Sequence, residues 1–128
     1  MRNLVDTHLL LWVVSGSEKI SSKARYLLTE PGDEYYFSTA SLWEIAIKRG
    51  IKKARMPLAA EAARTAFIAA GFRELPVSGV HACAVETLPP KHKDPFDRML
   101  VVQAKCEGMR LITHDATVAA YGEDIELV

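Results

Sequence analysis

The chain has 128 residues, 49% of them hydrophobic and 25% charged, with Lys and Arg balanced by Asp and Glu at sixteen each. That length predicts one compact domain spanning residues 1–128, with a core that needs no disulfide or metal staple, and the balance excludes bulk charge as a drive toward nucleic acid or membrane. No apolar run approaches the ~18 residues of a membrane span, and the start MRNLVDTHLLLWVV does not read as a signal peptide. Cys83 and Cys106 stand in apolar surroundings outside any CxxC pair, which predicts buried, reduced thiols in a cytosolic protein.

In chain order, NLVD (3–6) reads as a strand and THLLLWVV as a helix. SSKARYLLTE (21–30) has helical spacing with Ser21 or Ser22 as N-cap, and PGDE is a turn. YYFS (35–38) is strand-like, and SLWEIAIKRG is a helix ending in cations and Gly50. LAAEAARTAFIAAG (58–71) is helical and stops at glycine; FRELPVS holds a short strand; GVHACAVETL is helical up to Pro89-Pro90. DPFDRMLVVQAKCEG forms the next helix, MRLITHD a strand, ATVAAYG a short helix and DIELV a terminal strand. Alternating strands and helices predict an α/β fold, a parallel sheet of about four to five strands covered on both faces.

Ligands of such sheets bind beyond the C-terminal ends of the strands. Four carboxylates fall at strand-to-helix junctions: Asp6 after the first strand, Glu44 in the first turn of the helix after the second, Asp97 in the first turn of the helix before the fourth, and Asp115 after the fourth. Asp33 and Glu34 precede a strand and belong at the opposite end. Each acid has a plainer reading. Asp115 can cap ATVAAY, Ser41 and Glu44 fit the S-x-x-E capping box, and Asp97 suits a helix macrodipole. Asp6 gains least from capping, since Thr7 can serve there. Four caps converging by chance are less economical than one acidic site. Clustered carboxylates repel unless a hard cation compensates them, and Mg²⁺ or Mn²⁺ takes oxygen ligands. His8, His81, His92 and His114 show no ligand spacing and read as surface or supporting residues, His92 and His114 near the acids.

Pro95 suits the first position of a helix. Asp94 is then the N-cap and Asp97 the third helical residue, on a stripe with Val101, Ala104 and Gly108. Asp97 is the catalytic choice of this pair; Asp94 positions the turn, and Arg98 is an ion-pair partner for either. Thr7, Ser38, Ser41 and Thr113 can hydrogen-bond the carboxylates or do ordinary capping. Lys48, Arg49, Lys52, Lys53 and Arg55 cluster as a phosphate-tracking patch or as a solvated helix end. Trp12 and Trp43 read as core or partner groove rather than base-stacking platforms.

LVDTHLLLW, FSTASLWEIAIKRG, HKDPFDRMLVVQA and GMRLITHD, in this order along nearly the whole chain, resemble the motif blocks of PIN-domain proteins, in particular VapC-type toxins of toxin–antitoxin pairs. The resemblance implies a three-layer α/β/α fold and a cytoplasmic Mg²⁺- or Mn²⁺-dependent endoribonuclease. It places the family's four acids on Asp6, Glu44, Asp97 and Asp115 as metal-holding and catalytic residues. Thr7, Ser41, Asp94, Arg98 and Thr113 would support them, and Lys48, Lys52 and Lys53 would meet the substrate. It further implies an RNA substrate, a cognate VapB-type antitoxin and a homodimer. A DNA nuclease with the same site and an inactive PIN-like interaction module are the alternatives. A phosphoacceptor domain wants adjacent acids after the first strand and a lysine after the last, which LVDTH and DIELV do not supply.

Overall fold

The computed structural model describes residues 1–52 and 56–128. Strands β1 (Arg2–Val5), β2 (Glu34–Ser38), β3 (Arg73–Leu75), β4 (Arg110–Thr113) and β5 (Ile125–Leu127) form one sheet in the order β3-β2-β1-β4-β5. Every neighbouring pair is parallel. The connecting helices are α1 (Thr7–Ser15), α2 (Ser22–Leu27), α3 (Thr39–Ile51), α4 (Ala60–Ala69), α5 (Gly79–Ala84), α6 (Pro95–Glu107) and α7 (Ala116–Ala119); a single 3₁₀ turn, Val85–Thr87, follows α5.

Side chains alternate across each strand, so neighbouring residues feed two separate cores. Val5, Phe37 and Ile112 enter one with Leu9, Leu10, Ile45 and Phe67, from α1, α3 and α4. Leu4 and Leu111 enter the other with Leu100, Val101, Ala104 and Val118, from α6 and α7. This is the expected α/β/α sandwich, and doubly covered strands account for their unbroken apolar character. From β1 the chain builds outward to β2 and β3, then returns to place β4 and β5 on β1's other side. The crevice therefore opens between the C-terminal ends of β1 and β4, where the strand order reverses. At the opposite end Asp33 holds the N-terminal amine at 3.1 Å, as its position before a strand predicts.

Several boundaries differ from the sequence reading. Ser38, rather than Ser41, caps α3, its hydroxyl accepting the Ala40 N–H at 2.9 Å. The helix thus begins one turn earlier, Glu44 sits in its second turn, and the S-x-x-E capping box does not form. Gly50 does not stop α3, which continues to Ile51. Gly108 does end α6, with φ of 65° in the left-handed region where a side chain is strained. Cys83 and Cys106 are free and exposed rather than buried; on α6 the apolar Val102 and Ala104 turn inward while Cys106 faces out. His81 is buried, its ring completing a capping box with Ser78 and meeting Glu107 at 2.9 Å, so it is no surface residue. Trp43 is 63% exposed, its ring edge against Phe96 at 5.2 Å, and is not a core residue.

Candidate active site

Asp6 leaves β1 as the N-cap of α1 and is only 4% exposed. Its Oδ1 accepts the Leu9 N–H at 2.9 Å. Its Oδ2 accepts the Thr113 hydroxyl at 2.7 Å and the His114 N–H at 3.0 Å, with His114 Nδ1 at 3.1 Å. Asp6 therefore does cap its helix, against expectation, which leaves Thr7 free for another task. Burial alone would raise the Asp6 pKa, but the bonds from His114, Thr113 and Leu9 outweigh it and hold the carboxyl below its ordinary value. Asp6 in turn raises the pKa of His114 through the same hydrogen bond.

Thr7 Oγ1 donates to Glu44 Oε1 at 2.6 Å, and Ser41 Oγ lies 2.8 Å from the same threonine oxygen. Glu44, 1% exposed, directs its other oxygen to Lys48 Nζ, one helical turn on. Lys48 also reaches Asp94 Oδ2 at 3.3 Å. Burial works against the ammonium, but Glu44 and then Asp94 outweigh it and raise the Lys48 pKa. Ser38, weighed as a carboxylate partner, is instead committed to the α3 cap and to Gln103.

The DPFDR segment forms as its proline predicts. Asp94 caps α6, accepting the Phe96 N–H at 2.8 Å and the Asp97 N–H at 3.4 Å, with Pro95 at the first helical position. The Asp97 side chain takes no part in the cap and faces the crevice. Its Oδ2 lies 3.2 Å from His92 Nε2, and the same nitrogen is 3.1 Å from Asp115 Oδ2. Asp115 is bifunctional: Oδ1 caps α7 through the Thr117 N–H at 2.8 Å, and Oδ2 meets His92. Burial would raise its pKa, but the His92 and Thr117 hydrogen bonds bring it below the usual value.

Asp97 behaves oppositely. Burial, followed by the negative charges of Asp94 and Glu44 and to a smaller extent Asp6, pushes its pKa from 3.8 to about 7 against the opposing effect of His92. Removing one of those charges without removing the cap is informative. Asp94→Asn keeps an N-cap side chain, so stability should change by less than about 1 kcal/mol. The Asp97 pKa, read by NMR titration of the metal-free protein, should fall; an unchanged value would show that Asp94 is not among its principal repulsions.

Such an arrangement fits a hard divalent cation. Among the described residues, His92, Asp97 and Asp115 bring three possible donor atoms within 4.8 Å of one another. The raised Asp97 pKa reflects burial first and then neighbouring carboxylates not fully compensated by positive charge. Oxygen donors at a crevice mouth suit Mg²⁺ or Mn²⁺.

The model of the PIN domain family matches residues 4–124. The chain belongs to the PIN domain family. Solved structures agree on the fold at low identity. VapBC2 from Rickettsia felis, solved bound to a promoter DNA fragment, superposes with a TM-score of 0.69 at 13% identity, covering 100% of this chain and 98% of that one. A toxin–antitoxin complex from Klebsiella pneumoniae gives 0.66 at 19%, covering 96% and 94%. VapC20 of Mycobacterium tuberculosis, described as a Sarcin-Ricin loop cleaving toxin, gives 0.65 at 16%, covering 94% and 95%. No curated protein matches the chain in sequence.

In this PIN domain the four acids occupy one end of the sheet but not one ligand cluster. Asp97 and Asp115 converge directly, whereas Asp6 and Glu44 stand behind them, each locked by its own hydrogen bonds. Thr7 touches Glu44, Ser41 touches Thr7, and Thr113 touches Asp6. Arg98 is a correction: among the described residues it forms no ion pair with Asp94 or Asp97. Its guanidinium turns to the carbonyls of Val85, Leu88, Pro89 and His92 and to the Tyr121 hydroxyl. Lys48 is engaged by Glu44 and Asp94, Lys52 is exposed beyond the end of α3, and Lys53 and Arg55 lie outside the described residues. The sequence marks His92 and His114 as surface or supporting residues near the acids without assigning either a partner. Their signal is proximity alone, two and one positions from Asp94 and Asp115; Tyr121 carries no local signal.

Proposed function

We propose that this PIN domain is a cytoplasmic, Mg²⁺- or Mn²⁺-dependent endoribonuclease, the toxin of a toxin–antitoxin pair, held inactive by a cognate VapB-type antitoxin and acting as a homodimer. The observation that carries the reading is the convergence of Asp97 and Asp115 at the crevice mouth, where burial and the charges of Asp94, Glu44 and Asp6 raise the Asp97 pKa. The likeness to VapC20, described as a Sarcin-Ricin loop cleaving toxin, favours RNA as substrate, and the likeness to VapBC2 and to VapBC-1 from nontypeable Haemophilus influenzae favours an antitoxin partner. No helix among the described residues is long and apolar enough to cross a membrane.

Asp97 and Asp115 would hold the cation, with Asp6 and Glu44 completing the acidic site directly or through water. When bound, it supplies Lewis acidity, lowering the pKa of a water and offsetting phosphate charge. The chain's own contribution is rigidity: Thr113 and His114 fix Asp6, Thr7 fixes Glu44, and the α6 cap fixes the turn beneath Asp97. Lys48 and Lys52 line a cleft of about 430 Å³ with His8 and Met56, where a phosphate backbone can approach. Hydrolysis by water leaves 5′-phosphate and 3′-hydroxyl ends.

The test uses purified protein on RNA and on DNA, with Mg²⁺, with EDTA, and with EDTA followed by excess Mg²⁺. RNA should be cut only with the cation, and activity should return on readdition. Cleavage that persists in EDTA, or 2′,3′-cyclic phosphate ends, would overturn the reading; preferential cutting of DNA would reassign the substrate.

A further inference from the structure

Every polar atom of His92 is committed. Its backbone N–H donates to the Tyr121 hydroxyl at 2.8 Å, and its carbonyl accepts from Arg98 at 3.4 Å. Its ring Nδ1 accepts the Asp94 backbone N–H at 3.0 Å, and its ring Nε2 meets Asp115 Oδ2 at 3.1 Å with hydrogen-bond geometry. A backbone N–H cannot accept, so Nδ1 must present its lone pair, and in the neutral ring the proton then resides on Nε2. That is the reverse of a metal-binding histidine, which presents a lone pair to the metal and donates its other ring N–H to an acceptor. Turning the ring over would place carbon against both partners and leave the Asp94 N–H unsatisfied.

We propose that His92 is a positioning residue, an N–H donor that aims Asp115 and shares the crevice mouth with Asp97 while leaving all cation ligands as oxygen. It rests on the proposed cation-dependent function. The loop that carries it is clamped from behind. Arg98 donates to the carbonyls of Leu88 and Pro89 at 3.2 and 3.1 Å and to Tyr121 Oη at 3.2 Å, and the same tyrosine oxygen accepts the His92 N–H. Arg98 and Tyr121 thus act on the site through His92 rather than by touching the acids. An all-oxygen set favours Mg²⁺ and Mn²⁺ and gives Zn²⁺ or Ni²⁺ no nitrogen ligand.

The test is ¹⁵N NMR of histidine-labelled protein at neutral pH, before and after saturating Mg²⁺, with calorimetry of Mg²⁺ binding to the wild type, His92→Gln and His92→Ala. His92 should show the Nε2–H tautomer in both NMR conditions. His92→Gln, whose amide can donate from the same place, should keep Mg²⁺ affinity within about threefold, and His92→Ala should lose about 10- to 100-fold. The Nδ1–H tautomer, its appearance on adding Mg²⁺, or equal losses in both variants would overturn the assignment and make His92 a ligand; no loss in either variant would also overturn it. Wild-type protein with the Nε2–H tautomer but no Mg²⁺ binding would remove the proposed cation-dependent function while supporting the ring assignment.

Discussion

Asp97→Asn is expected to reduce RNA cleavage by on the order of 10³-fold while making the metal-free protein more stable at pH 8. The first effect follows from losing a carboxylate that faces the crevice and has no capping duty, since several kcal/mol of transition-state charge stabilisation amount to about three decades in rate. The second follows from linkage. The folded Asp97 pKa is about 7 against 3.8 for the ordinary carboxyl, so the folded state holds its proton more tightly than the unfolded chain. Its contribution is fully present below the unfolded value and is lost as pH rises through about 7. Above that the ionised group costs about 1–2 kcal/mol, allowing for solvent screening of a partly exposed carboxyl. Asparagine removes the cost. Chemical denaturation from pH 4 to 8 should show a falling limb in the wild type that flattens in the variant, and Mg²⁺ should stabilise the wild type more. A variant less stable than wild type at pH 8 would show that the Asp97 carboxylate is already compensated.

Asp6→Ala is expected to lose activity to a similar degree with the opposite effect on stability, a loss of about 3 kcal/mol. The alanine would leave the Thr113 hydroxyl and the N–H groups of Leu9 and His114 without an acceptor in a buried place, and would remove the α1 cap. Because the Asp6 pKa is lowered on folding, its stabilisation is present above the unfolded carboxylate value and disappears as pH falls through the folded one. The variant should therefore lack part of the wild type's loss of stability in acid. Urea midpoints at pH 7 and pH 3 measure both effects, and a variant within about 0.5 kcal/mol of wild type at pH 7 would mean that these bonds do little. Together the two acids separate roles that activity alone cannot. The Asp97 carboxylate is held against burial and repulsion, whereas that of Asp6 is held by hydrogen bonds.

That Asp94 and not the Asp97 carboxylate caps α6 was legible because everything the cap depends on is local. Proline at the first helical position sets the cap one residue earlier, and helical spacing then turns the third residue away from the cap. The same reasoning misplaced Asp6 and the start of α3. Asp6 and Thr7 are both competent caps, and the choice between them rests on Glu44 taking the Thr7 hydroxyl from 37 positions away. Ser38 and Ser41 are likewise both competent, and Ser38 wins where β2 ends. Arg98 was read as an ion-pair partner because it lies beside two acids, yet the carbonyls of the preceding loop offer its planar guanidinium more acceptors. Trp43 reads as core or partner groove, and the fold excludes the core, since its position turns outward beside Phe96 while Ile45 turns in.

The sequence by itself determined the alternation of strands and helices, the parallel sheet covered on two faces, and the placement of four acids toward one end of the sheet. These follow from hydropathy period, caps and turns, which involve residues within a few positions of one another. Tertiary structure alone decided that β4 lies against β1, which brings Thr113 and His114 onto Asp6 across more than a hundred residues. It also decided that His92 reaches Asp115, and that Lys48 stands between Glu44 and Asp94. Strand order leaves no periodic trace in the chain, because each strand shows the same apolar faces whichever neighbour it takes. The partners that tune each carboxylate are therefore set by which edges meet, and that is settled only when the sheet closes over its two cores.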